Sequence, residues 1–96
     1  MMAENSRLHA VVEGTVQGVG FRQFVVMTAY ELDLNGWVRN TYEGNVEVVA
    51  EGRSEVLDML LSALHRGPRH AYVTNVRFEY ESATAEFDSF TVRSTV

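Results

Sequence analysis

The sequence predicts an α+β sandwich: an antiparallel sheet of four to five strands carrying two helices on one face. Three observations lead there. Apolar residues alternate with period two in several short runs and recur at helical spacing in two others. These runs follow one another as β-α-β-β-α-β, with a short extra strand at the end. Each helical run has a single apolar stripe, so both helices can be covered by one face of one sheet. The order and the layering together describe a ferredoxin-like arrangement.

The first strand is expected over about Leu8 to Val16, with Ala10, Val12 and Val16 on one face and Val11, Glu13 and Thr15 on the other. Phe21, Phe24, Val25, Thr28, Ala29 and Leu32 then recur at helical spacing, predicting a helix from Phe21 to about Asp33. Leu34-Asn35-Gly36 ends it, with Asn35 and Gly36 suited to a left-handed turn. Gly36 to Asn40 reads as a second strand in which Val38 and Asn40 share one face and Trp37 and Arg39 the other.

Thr41 to Gly44 is a hairpin turn, and Asn45 to Glu51 returns as a third strand with Val46, Val48 and Ala50 inward. The second helix follows Gly52-Arg53-Ser54, with Ser54 as expected N-cap and Glu55 and Asp58 favourable to its dipole. Leu57, Leu60, Leu61 and Leu64 form its core stripe, and Gly67-Pro68 stops it. Tyr72 to Tyr80 is a fourth strand with Val76, Phe78 and Tyr80 on one face. The acidic stretch Glu79 to Asp88 reads as a solvated loop, and Ser89 to Arg93 as a short fifth strand.

Composition limits the chemistry. The chain has 96 residues, enough for one domain (core about 7–95) and not for two. It is 46% hydrophobic, with one Trp, four Tyr and five Phe, which argues against disorder. Cysteine is absent, so disulfides and thiolate chemistry are excluded. All 8 basic residues are arginines, which excludes Schiff-base chemistry and a P-loop lysine. The net charge of -5 opposes non-specific binding to nucleic acid, so any anion site must be local. Met1 to Arg7 is polar, no apolar run is long enough to span a bilayer, and a cytoplasmic protein is expected.

The chemistry-bearing stretch is Gly14-Thr15-Val16-Gln17-Gly18-Val19-Gly20-Phe21-Arg22, between the first strand and the first helix. A glycine-containing turn there leaves several backbone N–H groups unpaired, and the helix dipole adds positive charge at the same place. Arg22 adds a planar fork that can grip two oxygens of one anion. The reading is an oxyanion cradle suited to phosphate; the plainer alternative is an ordinary strand–helix turn. The stretch is neither a P-loop nor a complete dinucleotide fingerprint.

These residues, with Gly36-Trp37-Val38-Arg39-Asn40, then Glu43-Gly44-Asn45-Val46-Glu47, and Gly67-Pro68 with Ala71 and Val73, resemble the acylphosphatase family from about Arg7 to Arg93. The resemblance implies a stand-alone acylphosphatase. Such an enzyme hydrolyses the carboxyl–phosphate bond of acyl phosphates to a carboxylate and inorganic phosphate, without metal or cofactor. It implies that Arg22 binds the phosphate, that Asn40 positions the attacking water, and that the amides of Gln17, Gly18, Val19, Gly20 and Phe21 hold the phosphoryl oxygens, with Thr41 assisting. The expected partners are a small-molecule acyl phosphate and its phosphate product, with no nucleic acid or membrane, and the expected state is a monomer.

Other features carry plainer readings. Arg39 is read as a solvated strand-face arginine rather than a second anion contact, and Trp37 as packing. His9, His65 and His70 lack metal-ligand spacing, and the acids from Glu79 to Asp88 lack the order of a calcium loop. Single-stranded RNA binding would need aromatics on the open sheet face, where the inner strands offer Val11, Glu13, Glu47, Val49 and Glu51. The remaining alternatives are a non-catalytic anion-binding regulatory domain, or a detached copy of the similar module of a carbamoyl-transfer maturation protein. The chain's ending just after the last strand favours the free-standing enzyme.

Overall fold

In the computed structural model, which describes residues 5–96, the elements run β1 (Asn5–Thr15), α1 (Phe21–Glu31), β2 (Asn35–Asn40), β3 (Val46–Arg53), α2 (Ser54–Arg66), β4 (Tyr72–Ser82) and β5 (Phe90–Val92). Residues 1–4 of the polar Met1 to Arg7 segment lie outside the described residues. The sheet order is β4-β1-β3-β2-β5, and both helices cover one face, so the ferredoxin-like α+β class is as expected. The antiparallel expectation holds for β4, β1, β3 and β2, while β5 pairs parallel to β2. The cause is where β4 stops. Ser82 pairs with Ser6 at the end of the sheet where β2 begins, so a chain crossing there enters β5 alongside the start of β2.

The core lies between sheet and helices. Leu8, Ala10 and Val12 of β1 and Val46, Val48 and Ala50 of β3 are fully buried, as the period-2 pattern requires. Phe21, Val25 and Ala29 face them from α1, and Leu57, Leu60 and Leu64 from α2. At roughly 25 cal/mol per Å² of apolar surface, each large side chain buried here stabilises the fold by about 1.5–3 kcal/mol.

Several boundaries differ from expectation. β1 starts at Asn5, and a register shift at Glu13/Gly14 interrupts its pairing with β4, which resumes at Gly14 with Val73 and Thr15 with Tyr72; Val16 is buried in the loop beyond. α1 stops at Glu31, and the left-handed residue is Asp33 (φ 57°), with Asn35 and Gly36 opening β2 instead. Ser54 is the first helical residue of α2 and caps nothing; Arg53 occupies the N-cap in extended backbone. Ala63 joins the stripe where Leu61 was expected, and Leu61 is half-buried.

The acidic stretch is only partly a solvated loop. Glu79 to Ser82 extend β4, and the crossing segment beyond is tied to the sheet. Glu51 accepts from the N–H groups of Thr84 (2.8 Å) and Ala85 (3.0 Å) and from Arg7 Nε (2.9 Å), and Arg7 also pairs with Glu86. Burial pushes the Glu51 carboxyl up, but these donors outweigh it and hold it below the usual carboxylate range. No helix among the described residues is long and apolar enough to cross a membrane.

Candidate active site

One end of the sheet gathers the loop after β1, the start of α1, the end of β2 and the end of β5. The loop turns through Gly18 (φ 75°) and Gly20 (φ 78°), a left-handed backbone that glycine adopts without a Cβ penalty. No heavy atom lies within 4 Å of where a Cβ would stand at either, so the space above the turn is open. Gly20 is the N-cap of α1, and its carbonyl accepts from Phe24 N–H at 3.0 Å. No side chain caps this helix end, and its first turn holds no acid. Among the described residues, the N–H groups of Gly18, Val19 and Gly20 meet no protein acceptor. Unpaired amides and the positive end of the helix dipole therefore coincide.

A cleft of about 350 Å³ opens at this point, lined by Val16, Gly18, Gly20, Phe21, Arg22, Gln23, Asn40 and Val92. It holds one cation and no carboxylate. Arg22 is exposed on the first turn of α1, and no carboxylate of the described residues pairs with it. Asn40 closes β2 opposite Val46, on the same strand face as buried Val38. Its Oδ1 is buried and has no hydrogen-bond partner. A buried acceptor left without a donor costs roughly 1–3 kcal/mol, which a donor bound in the cleft would recover.

The structure thus brings Arg22, Asn40, Gly18, Gly20 and Phe21 of the candidate residues to one cleft. Gln17 and Val19 do not line it. Val19 is half-buried against the core. The Gln17 side chain reaches the β2–β3 hairpin, where Nε2 donates to the carbonyls of Thr41 and Asn45, both at 2.8 Å. Thr41 is turned to the hairpin too: its hydroxyl accepts from Asn45 N–H at 3.2 Å. Three lining residues went unforeseen. Gln23 beside Arg22 on the first turn was a readable candidate, and Val16 was assigned only to the core. Val92 gave no local signal, because only the docking of β5 on β2 brings it here.

The neighbours with plainer readings lie on the open sheet face. Arg39 Nε donates to Glu47 at 2.8 Å and stacks on Trp37, 4.4 Å from the ring centroid, so it is paired rather than solvated. Trp37 is packed between Arg39 and Arg93. His9 Nε2 lies 2.7 Å from the same Glu47. Burial raises the Glu47 carboxyl, but His9 and Arg39 together hold it below the usual range. Among the described residues no three His, Asp or Glu side chains cluster as metal ligands would.

The chain is similar to known proteins over nearly its whole length. The profile of the Acylphosphatase family matches residues 8–92. The chain is 48% identical over 90 residues to the acylphosphatase of Moorella thermoacetica, covering 94% of this chain and 96% of that protein. It is 45% identical over 87 residues to that of Salinibacter ruber, covering 91% and 92%. The crystal structure of acylphosphatase from Bacillus subtilis superposes with a TM-score of 0.88 at 34% identity, covering 92% of this chain and 98% of that one.

Proposed function

The chain belongs to the acylphosphatase family, and from that premise we propose how its cleft hydrolyses acyl phosphates. The substrate is a small-molecule acyl phosphate and the products are a carboxylate and inorganic phosphate. In our reading the loop amides of Gly18, Val19 and Gly20 and the first N–H groups of α1 hold the phosphoryl oxygens. Arg22 grips the same group through its planar fork. Asn40 Oδ1 accepts a hydrogen bond from a water and holds it in line with the bond to be broken. The water oxygen bonds to phosphorus as the phosphorus–carboxylate oxygen bond breaks; one water proton stays on the new P–OH and the other passes to a phosphoryl oxygen and from there to solvent. The leaving carboxylate is stable without a proton, so no strong general acid is needed. The work is positioning and stabilisation of charge on the equatorial oxygens.

The observation that carries this reading is the buried, unpartnered Oδ1 of Asn40 in the same cleft as Arg22 and the glycine turn. We propose further that no metal takes part and that residues 7–95 act as one monomeric unit in the cytoplasm. The family match over residues 8–92 supports the single unit.

The test is benzoyl phosphate hydrolysis with EDTA present, comparing wild type, Arg22→Ala and Asn40→Ala. Wild type should be insensitive to EDTA. Each variant should lose about 10²–10³ in kcat/KM, the scale of one stabilising or positioning group. Competitive inhibition by inorganic phosphate should survive in Asn40→Ala and be lost in Arg22→Ala. Retained turnover in Asn40→Ala would remove its role. A folded wild type that binds phosphate without turnover would instead mark an anion-binding regulatory domain.

A further inference from the structure

We propose that Gln17 is a positioning residue: it sets the separation between the loop that holds phosphate and the strand end that holds the water. The proposal rests on the roles assigned above to the loop and to Asn40. A side-chain amide has two N–H donors, and Gln17 uses its nitrogen on two carbonyls, Thr41 O and Asn45 O, each at 2.8 Å. Those carbonyls form the neck of the β2–β3 hairpin. Thr41 O also accepts from Gly44 N–H at 3.0 Å, and Asn45 O from Thr41 N–H at 2.9 Å. With Gln17 added, each carbonyl has a donor for both of its lone pairs.

The consequence is mechanical. Thr41 directly follows Asn40, so a clamp on Thr41 fixes where the Asn40 side chain stands relative to the loop. Among the described residues no other hydrogen bond joins the loop of residues 16–20 to the hairpin of residues 41–45. The loop and Arg22 can bind phosphate whether or not this tie exists. In-line attack cannot proceed well without it, because the phosphorus is held by one piece of chain and the water by another. Displacement of reacting groups by about 1 Å can cost on the order of 10² in rate. A phosphate ligand would show the opposite signature, and the Gln17 donors are already committed to the hairpin.

The test uses Gln17→Met, of similar length without donors, and Gln17→Glu, of the same shape. Each is measured for folding by thermal unfolding, for kcat and KM with benzoyl phosphate, and for inhibition by inorganic phosphate. Gln17→Met should lose about 10- to 100-fold in kcat, while its phosphate inhibition constant stays within about threefold of wild type. Combined with Asn40→Ala, it should add less than about threefold, because the water it aligns is no longer held. Gln17→Glu places a carboxylate against two carbonyl oxygens at neutral pH. It should recover relative to wild type toward about pH 5, as protonation restores one donor.

A rise in the phosphate inhibition constant matching the fall in kcat/KM, with kcat unchanged, would make Gln17 a phosphate ligand and overturn the proposal. So would a full, multiplicative loss in the Asn40→Ala background. Failure of the underlying reading shows separately, as an Asn40→Ala variant that turns over like wild type. If Gln17→Met does not fold, the same split is read on Gln17→Glu across pH.

Discussion

Gly18 and Gly36 both hold positive φ, 75° and 147°, yet they resist substitution for different reasons. A Cβ at Gly36 would collide with the Val49 carbonyl where β2 and β3 pair, so Gly36→Ala should cost roughly 2–4 kcal/mol, read as a lowered melting temperature. A Cβ at Gly18 meets nothing within 4 Å, so only backbone strain of about 1–2 kcal/mol is expected. Its larger effect should be on catalysis: relaxing the left-handed turn re-aims the loop amides, and kcat/KM should fall at least about tenfold. Comparing the two variants by melting and by kinetics separates fold from site. That Gly18 is a turn-former was legible in the sequence, whereas Gly36, expected in the turn after α1, opens β2 instead. Which of them has another strand's backbone against it was not, because that depends on register. Gln17 shows the same limit: its place in the loop could be read, but not the carbonyls its side chain meets.

At the scale of elements, the stripe of α2 was read almost correctly from spacing, and its consequence is testable. Leu60→Ala should destabilise by about 2–5 kcal/mol in denaturant unfolding, since Leu60 is fully buried. Phosphate inhibition of the folded fraction should not change, because α2 contributes nothing to the cleft. α2 also meets β4 through Tyr80, whose hydroxyl donates to Asp58. Partial burial and then Asp58 push the Tyr80 pKa up to about 12. A raised folded value means this contribution is full below the ordinary tyrosine pKa of about 10 and is lost as pH rises through the folded one. Ultraviolet titration should show one late-titrating tyrosine that Tyr80→Phe removes. The ends of elements were read less well than their interiors. Ser54 has the right chemistry for an N-cap, but the backbone enters α2 one residue earlier, and Asp33 takes the left-handed turn expected of Asn35 or Gly36.

Across the whole molecule, the carboxylates tie distant parts of the chain together. Glu47 joins β1 and β2 through His9 and Arg39, Glu51 holds the crossing segment, and Glu86 is held by Arg7. All three are shifted below the usual carboxylate range: burial opposes the shift at Glu47 and Glu51 and is outweighed by their donors, and the Arg7 hydrogen bond leads at Glu86. A lowered folded value contributes stability above the unfolded pKa of about 4.3 and loses it as pH falls through the folded one. Melting followed from pH 7 downward should therefore stay level to the ordinary carboxylate range and then drop. Glu51→Gln should make that drop shallower and cost stability at neutral pH, through loss of the Arg7 pair. By itself the sequence determined the periodicities, hence the strands, helices and layers, and the glycine turn with Arg22 at a helix start. These are local properties, written within a few residues of chain. Only the tertiary structure decided the parallel docking of β5 that adds Val92 to the cleft, the crossing segment held by Glu51, and the clamp of Gln17 on the hairpin. Those depend on which strands pair and in what register, and pairing is settled by the core as a whole rather than by any one segment.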